Sequence, residues 1–292
     1  YADAAKIATT ATGVDVTGII VSDGMSTNTS GTSNFVAGVN AGNSIASGGN
    51  YNVTVGDEAG TALTTGTDNV SLGYNALYTN TTSSSNIAIG SHALYANTGA
   101  SNTALGRQAL RFNSSASNNT AVGYQAGFYN TTGTRLVAMG YTAALNSTTA
   151  THNTAIGYQS QRSNTTGSNN TALGDNSLYT NTTGASNVSI GKDALFSNTT
   201  ASNNTAVGYQ AGYAVTTGTQ NVAVGALAGD ALNIGSYNIA IGYSALGSED
   251  SRGRAVAVGY NALATQNADA DSYNTAVGFE AGKAVTTGVQ NT

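Results

Sequence analysis

Asn119-Thr120-Ala121-Val122-Gly123, followed by Tyr124-Gln125-Ala126-Gly127, decides how this chain folds, because the same pentad returns from one end of it to the other. With the pentad glycine as marker, copies fall at Gly56, Gly73, Gly90, Gly106, Gly123, Gly140, Gly157, Gly174, Gly191, Gly208, Gly225, Gly242, Gly259 and Gly278. Eleven of the thirteen intervals are 17 residues; the others are 16 (Gly90 to Gly106) and 19 (Gly259 to Gly278), and a degenerate copy ending at Gly38 precedes the set by 18. A fixed period this short indicates a solenoid, in which each coil buries its apolar face by stacking on its neighbours. The expected fold is an all-β parallel β-solenoid, or β-roll, of about fifteen 17-residue coils over residues 34–292, after a strand-rich connector over residues 1–33.

Counted from the marker glycine as zero, position −1 is apolar in every regular copy (Val55, Leu72, Ile89, Leu105, Val122, Met139), whereas −2 is always Ala, Ser or Thr. Alternation in a strand sends these two positions to opposite faces. The expectation is that bulky −1 fills the coil's own core and that the small −2 column lets a neighbouring rod approach closely. Position +3 is Ala or Ser, +4 is mostly Leu or Gly, and many coils end in Asn-Thr-Thr-Gly, as at Asn130–Gly133. Seventeen residues broken by such turns allow two or three short strands per coil. Asn at −4 (Asn69, Asn86, Asn102, Asn119) predicts a ladder of stacked amides, with Leu136 as its one clear break. At about 4.8 Å per coil the stack would reach on the order of 70 Å. A coil this thin has little apolar area to offset its ordering entropy, so several rods are expected to associate side by side.

Composition supports an ordered rod. Charged residues make up 8% of the chain and the formal net charge is −5, too low for typical disorder, and apolar residues return periodically. Proline is absent, which suits stacked strands because each proline would delete a ladder donor. Cysteine is absent as well, so disulfides and thiol chemistry are excluded. Nine dispersed Lys and Arg make no basic tract for nucleic acid, and no 18-residue apolar run is present to insert in a membrane. The chain opens without a secretion signal and closes on Asn291-Thr292, the first letters of a further pentad, as a segment cut from a longer polypeptide would.

The pentads Asn-Thr-Ala-Val-Gly and Asn-Ile-Ala-Ile-Gly, each with Ala at +3, resemble the head repeats of YadA-like trimeric autotransporter adhesins. The longer spelling, with Tyr-Gln-Ala-Gly or Tyr-Asn-Ala-Leu and Asn-Thr-Thr-Gly, is more similar to the repeat arrays of bacteriophage tail fibres, as is the opening Ala5–Gly18. The resemblance implies a left-handed β-roll, a homotrimer about a common axis, and a role in reaching and gripping a surface. The 17-residue coil is longer than that of the adhesin heads, and stalk heptads, a membrane anchor and a chaperone tail are not recognisable.

Residues with catalytic or ligating chemistry are few. His92 and His152 lie 60 residues apart with no second His or Cys at metal-ligand spacing. Gly278–Lys283 mimics a phosphate loop, but it is one residue short between the glycines and Ala284 stands where a hydroxyl should. Asn267, Asp269 and Asp271 alternate like the start of a calcium loop without its turn glycine and distal Glu. No catalytic, cofactor or metal residue is assigned, and no enzymatic activity is expected. The candidate surface contacts are the +1 tyrosines, Tyr124, Tyr141, Tyr158 and Tyr209, together with the charge cluster containing Glu249, Asp250, Arg252 and Arg254.

These observations and the resemblance lead to the expectation of a structural and adhesive protein: the shaft of a trimeric phage tail fibre, in the virion, positioning receptor binding at the host surface. Its partners would be two further copies, other virion or fibre proteins, and a host surface glycan or protein receptor. The alternative is a bacterial surface adhesin or extracellular filament. More remote is ice binding, for which the adjacent Thr-Thr pairs are poorly arranged because alternation turns one of each pair away.

Overall fold

The structure, a computed structural model, describes residues 7–10, 13–16, 29–249, 253–268 and 270–292. Strands β1 (Ile7–Thr10) and β2 (Gly13–Val16) form an antiparallel hairpin with Ile7 opposite Val16. The alternating stretch from Val14 thus begins in a strand, while residues 17–24 lie outside the described residues.

Fifteen three-residue strands follow, from β3 (Phe35–Ala37) to β17 (Thr275–Val277), and stack in chain order as one parallel sheet. The chain is therefore a β-solenoid of about fourteen turns. Like lies on like: Ala121 pairs with Ala138, which pairs with Ala155. Register survives the irregular intervals, since Ile87 pairs with Thr103 across the 16-residue step and Val256 with Thr275 across the 19-residue step. The turns absorb the difference.

Each coil holds one strand, not two or three. In the coil that starts at Gly123, Gln125, Gly127 and Arg135 have φ of 53°, 61° and 57°, and alternating hands of backbone cannot continue as a strand. The turn residues still bond from coil to coil. Gln125 N donates back to Arg107 O at 3.1 Å, while Gly127 N and Tyr129 N donate forward to Ala143 O and Leu145 O at 2.9 and 3.0 Å. Hydrogen bonding along the axis thus runs around the coil, and it answers where the turn amides go.

The strand faces are the reverse of the expectation from alternation. Position −2 points inward, with Ala88, Ala104, Ala121, Ala138 and Ala155 all fully buried. Outward-pointing −1 leaves Leu72, Leu105, Met139 and Leu173 at 40–45% exposure. Width explains the inversion. The inner face of the strand confronts the buried +3 column (Ala109, Ala126, Ala143) across a narrow interior, which keeps −2 to Ala, Ser or Thr in all fourteen regular copies and to Val36 in the degenerate first one. Where both positions are Ser, their hydroxyls meet: Ser177 Oγ donates to Ser189 Oγ at 2.7 Å.

Bulk in the core comes from +4 and +7, which trade places. Five coils combine Leu at +4 with Asn at +7: Leu77/Asn80, Leu94/Asn97, Leu110/Asn113, Leu178/Asn181 and Leu195/Asn198. Where +4 is Gly, the aliphatic group moves to +7, as in Gly60/Leu63, Gly212/Val215 and Gly229/Leu232. Leu63, Leu77 and Leu232 are all fully buried. Gly127 keeps Asn130 at +7, and there Leu136 supplies the bulk: a Cβ on Gly127 would lie 3.2 Å from Leu136 Cδ2. The break in the amide ladder is thus a core substitution.

The ladder itself forms as expected. Asn69 N and Nδ2 both donate to Asn52 Oδ1, at 3.0 and 3.1 Å, and Asn86 repeats this on Asn69. Leu136 is not its only break, because Ala255 also occupies −4. At both, the backbone N–H still donates to the preceding amide, Asn119 Oδ1 at 2.9 Å and Asn238 Oδ1 at 3.1 Å. A second column of buried amides runs at +7, where Asn130 Nδ2 donates to Asn113 Oδ1 at 3.0 Å and to Gly133 O at 2.9 Å.

The marker glycine is fixed twice over. Gly123 has φ of 128°, a region that side chains shun, and an added Cβ would lie 2.5 Å from Gly140 O. Gly123→Ala is expected to destabilise by about 2–5 kcal/mol, strain and overlap together, read as a lowered denaturation midpoint. The +4/+7 exchange makes a sharper prediction. Gly229→Leu alone overfills the coil, since its Cβ would sit 2.7 Å from Leu232 Cδ1, and Leu232→Asn alone empties it. Each should cost roughly 1–4 kcal/mol, and the double variant, which restores the Leu/Asn pairing, should recover most of the loss in a double-mutant cycle.

Candidate functional site

Along the rod, the outward face of the sheet is an apolar stripe. Its −3 column is Val, Ile, Thr or Phe and its −1 column Val, Ile, Leu, Met or Ala, with no charged residue in either over all fifteen strands. Val53, Ile87, Leu105, Leu173, Ile239 and Ile241 are among the exposed large side chains. Such branched side chains favour the strand, but nothing among the described residues covers the exposed ones. At about 4.8 Å per strand and a width of roughly 10 Å the stripe amounts to roughly 700 Å², beyond the few hundred Å² of contiguous apolar surface common on a monomer. Alternation located this face, but the larger side chains were assigned to the wrong side of it, and the small −2 column is not a contact surface at all.

Next to the stripe stands the +1 column. Tyr124, Tyr141 and Tyr158 stack with ring centroids 5.3 and 5.4 Å apart and planes within 20° of parallel. Tyr243, Tyr260 and Phe279 do the same at 5.3 and 5.1 Å. Because each ring lies on the next, interior faces are occupied by neighbouring rings and the stack presents edges and hydroxyls outward. Tyr209 is about half exposed but has no stacked partner at +1, its neighbours there being Lys192 and Ala226. Another series runs at +5, with Tyr179, Phe196 and Tyr213 stacked at 5.1 and 5.3 Å.

The charge cluster divides. Glu249 is buried, not a surface contact: it occupies the interior +7 column, where Gln266 Nε2 donates to its Oε2 at 3.0 Å. Asp250 and Arg252 lie outside the described residues, as does Asp269 of the loop resembling a calcium site. Arg254 is on the surface, its Nε donating to Asp271 Oδ2 at 2.8 Å and its guanidinium 5.4 and 5.5 Å from the rings of Tyr237 and Tyr273. A shallow concavity beside it is lined by Ile234, Ser236, Tyr237, Arg254 and Asp271.

Among the described residues no group of three or more His, Asp or Glu could hold a metal. His92 touches the edge of Tyr74 and receives or gives a hydrogen bond at Nδ1 with Ser91 Oγ, 2.9 Å away. Burial, followed by the charges of Arg111 and Arg107, holds its pKa below the ordinary imidazole value. His152 lies on another column, where its Nε2 is 2.6 Å from Arg135 Nη1. Lys283 of the phosphate-loop mimic pairs with Glu280 at 2.6 Å. In the Thr-Thr pairs, Thr131 Oγ1 donates to Thr148 O at 2.9 Å while Thr132 is exposed, so a single outward threonine column results.

No helix among the described residues is long and apolar enough to cross a membrane. No family model, curated protein or solved structure matches this chain.

Proposed function

We propose that the chain is a shaft segment of a homotrimeric fibre of the phage tail-fibre type, a structural and adhesive protein without catalytic activity that holds receptor binding at a set distance from the particle. The observation that carries this reading is the uncharged stripe, whose −1 column is apolar over all fifteen strands and whose −3 column is β-branched in all but Phe35, six of them threonine, while neighbouring columns vary. A stripe of roughly 700 Å² approaches the ~800 Å² per partner of a stable interface. Its natural partner is the same stripe on another copy, since equal rise per coil keeps two such rods in register along their length. Closing the stripes about one axis satisfies all copies at once, as closed cyclic symmetry requires. The number three, the left hand of the coil and the setting in a virion rest on the likeness of the repeats to tail-fibre arrays.

Sedimentation equilibrium tests the assembly. The native chain should sediment at three times its 29.0 kDa mass. Leu105→Asp with Leu173→Asp, both at outward −1 positions, should yield monomers with an unchanged far-ultraviolet circular dichroism spectrum, because carboxylates would be buried unpaired in the contact. A monomeric native chain, or variants that still assemble, would remove the proposal.

A further inference from the structure

From Asn69 to Gly174 the chain contains Arg107, Arg111, Arg135 and Arg162 and not one Asp or Glu, although its formal net charge is −5. Six coils in the body of the rod are thus cationic between acidic flanks. The repeat sets where the charges sit. Arg111 and Arg162 share column +5 three coils apart, roughly 14 Å along the axis at about 4.8 Å per coil. Arg107 is at +1 of the same coil as Arg111. Arg135 is on a different column, at +12.

The three arginines on this flank are held by rings and not by carboxylates. Arg111 lies 5.6, 5.2 and 5.9 Å from the ring centroids of Tyr95, Phe112 and Phe128. Arg162 lies 5.7 Å from the Tyr179 ring and donates to its hydroxyl at 3.2 Å, and Arg107 lies 5.9 Å from Tyr124. None has an ion-pair partner among the described residues. Aromatic packing fixes a guanidinium without neutralising it; the Nε atoms of Arg111 and Arg162 are buried, so on those two it is the terminal Nη groups that are left for an anion. Phe128, itself buried, and the half-buried Leu145 fill the column between Arg111 and Arg162, and beside them Tyr129 stacks on Phe112 and is about half exposed, so Leu145 and Tyr129 supply the surface there. The flank is therefore an amphipathic track: fixed cations at intervals, with apolar and phenolic surface between.

We infer that this track binds a polyanionic polysaccharide, laid along the rod with its phosphate, sulfate or carboxylate groups on Arg107, Arg111 and Arg162. A nucleic acid, with a phosphate at every nucleotide, would find too few cations here, whereas a sugar chain with sparser charge matches their spacing and uses the rings between them. The inference does not depend on the trimeric shaft, because a single rod carries the same flank.

Fluorescence anisotropy with labelled hyaluronan, which carries one carboxylate per disaccharide, sparsely sulfated dextran, neutral dextran and a single-stranded DNA oligonucleotide, at low ionic strength, tests it on the full chain. The two charged polysaccharides should bind, neutral dextran should not, and added salt should weaken the complexes. Arg107→Gln with Arg162→Gln should reduce affinity on the order of tenfold per arginine, Arg135→Gln should leave it unchanged, and Arg111→Lys should weaken it less than Arg111→Gln. Sedimentation of the same variants reports their folding and assembly separately. Absence of binding by charged polysaccharides, equal binding by the double variant, or tighter binding of the oligonucleotide would overturn it.

Discussion

The constraint on which this structure depends is the thickness of the coil. With one three-residue strand per turn, the inner face of that strand lies almost against the turn opposite, and Ala121 at −2 and Ala126 at +3 are both fully buried. No residue larger than Val stands at −2, so the residues with enough surface to drive association are left outside. Apolar bulk is admitted at one site in most coils, as the exchange between Leu at +4 and Leu or Val at +7 shows, while Ala144/Ser147 and Gln161/Asn164 fill the same space without a large aliphatic group. A slab this thin satisfies its backbone through contacts to the coils above and below, and that explains why register survives an inserted or deleted residue: the chain concedes length in a turn before it gives up a stacked pair.

Buried polarity follows from the same geometry. An interior too narrow for large aliphatic groups on every side is completed by amides, whose donors and acceptors repeat at the coil spacing and so satisfy one another. Asn130 Nδ2 reaches both Asn113 Oδ1 and Gly133 O, closing its own turn while it joins the coil beneath. The columns tolerate interruption because each link is local. At Leu136 and Ala255 the backbone N–H still meets the amide below, and only the side-chain contribution is lost. Glu249 and Gln266 show the column accepting longer groups beside the 19-residue coil.

Much of this was legible in the sequence. The period gave the solenoid, the pentad gave the strand, and Asn at −4 gave the ladder, because each depends only on like stacking upon like. Inside and outside were not legible from alternation, which separates two faces without naming them; side-chain volume was the signal, since an invariably small position in a thin coil belongs inside. Glu249 was misplaced for a related reason. A run of charges suggests a solvated turn, yet counting seven from Gly242 puts Glu249 in the interior column. The +4/+7 exchange and the acid-free stretch around the arginines were also written in the chain, visible once residues are sorted by column and not by neighbourhood.

Sorting by column also separates what the fold demands from what it leaves open. Within the described solenoid, charged residues fall at +1, +2, +5 or +12, with Glu249 in the interior as the one departure. These outward turn positions do not enter the core and do not belong to the apolar stripe. At +1 the side chain changes from Tyr158 to Asp175 to Lys192 to Tyr209 between adjacent coils while the backbone beneath repeats. A rod of this kind presents a one-dimensional array of sites about 4.8 Å apart whose chemistry can be altered one coil at a time without disturbing register. Local differences along it, such as the arginine flank or the Arg254–Asp271 pair between two tyrosines, therefore stand apart from folding requirements and are the places where selection for binding can act.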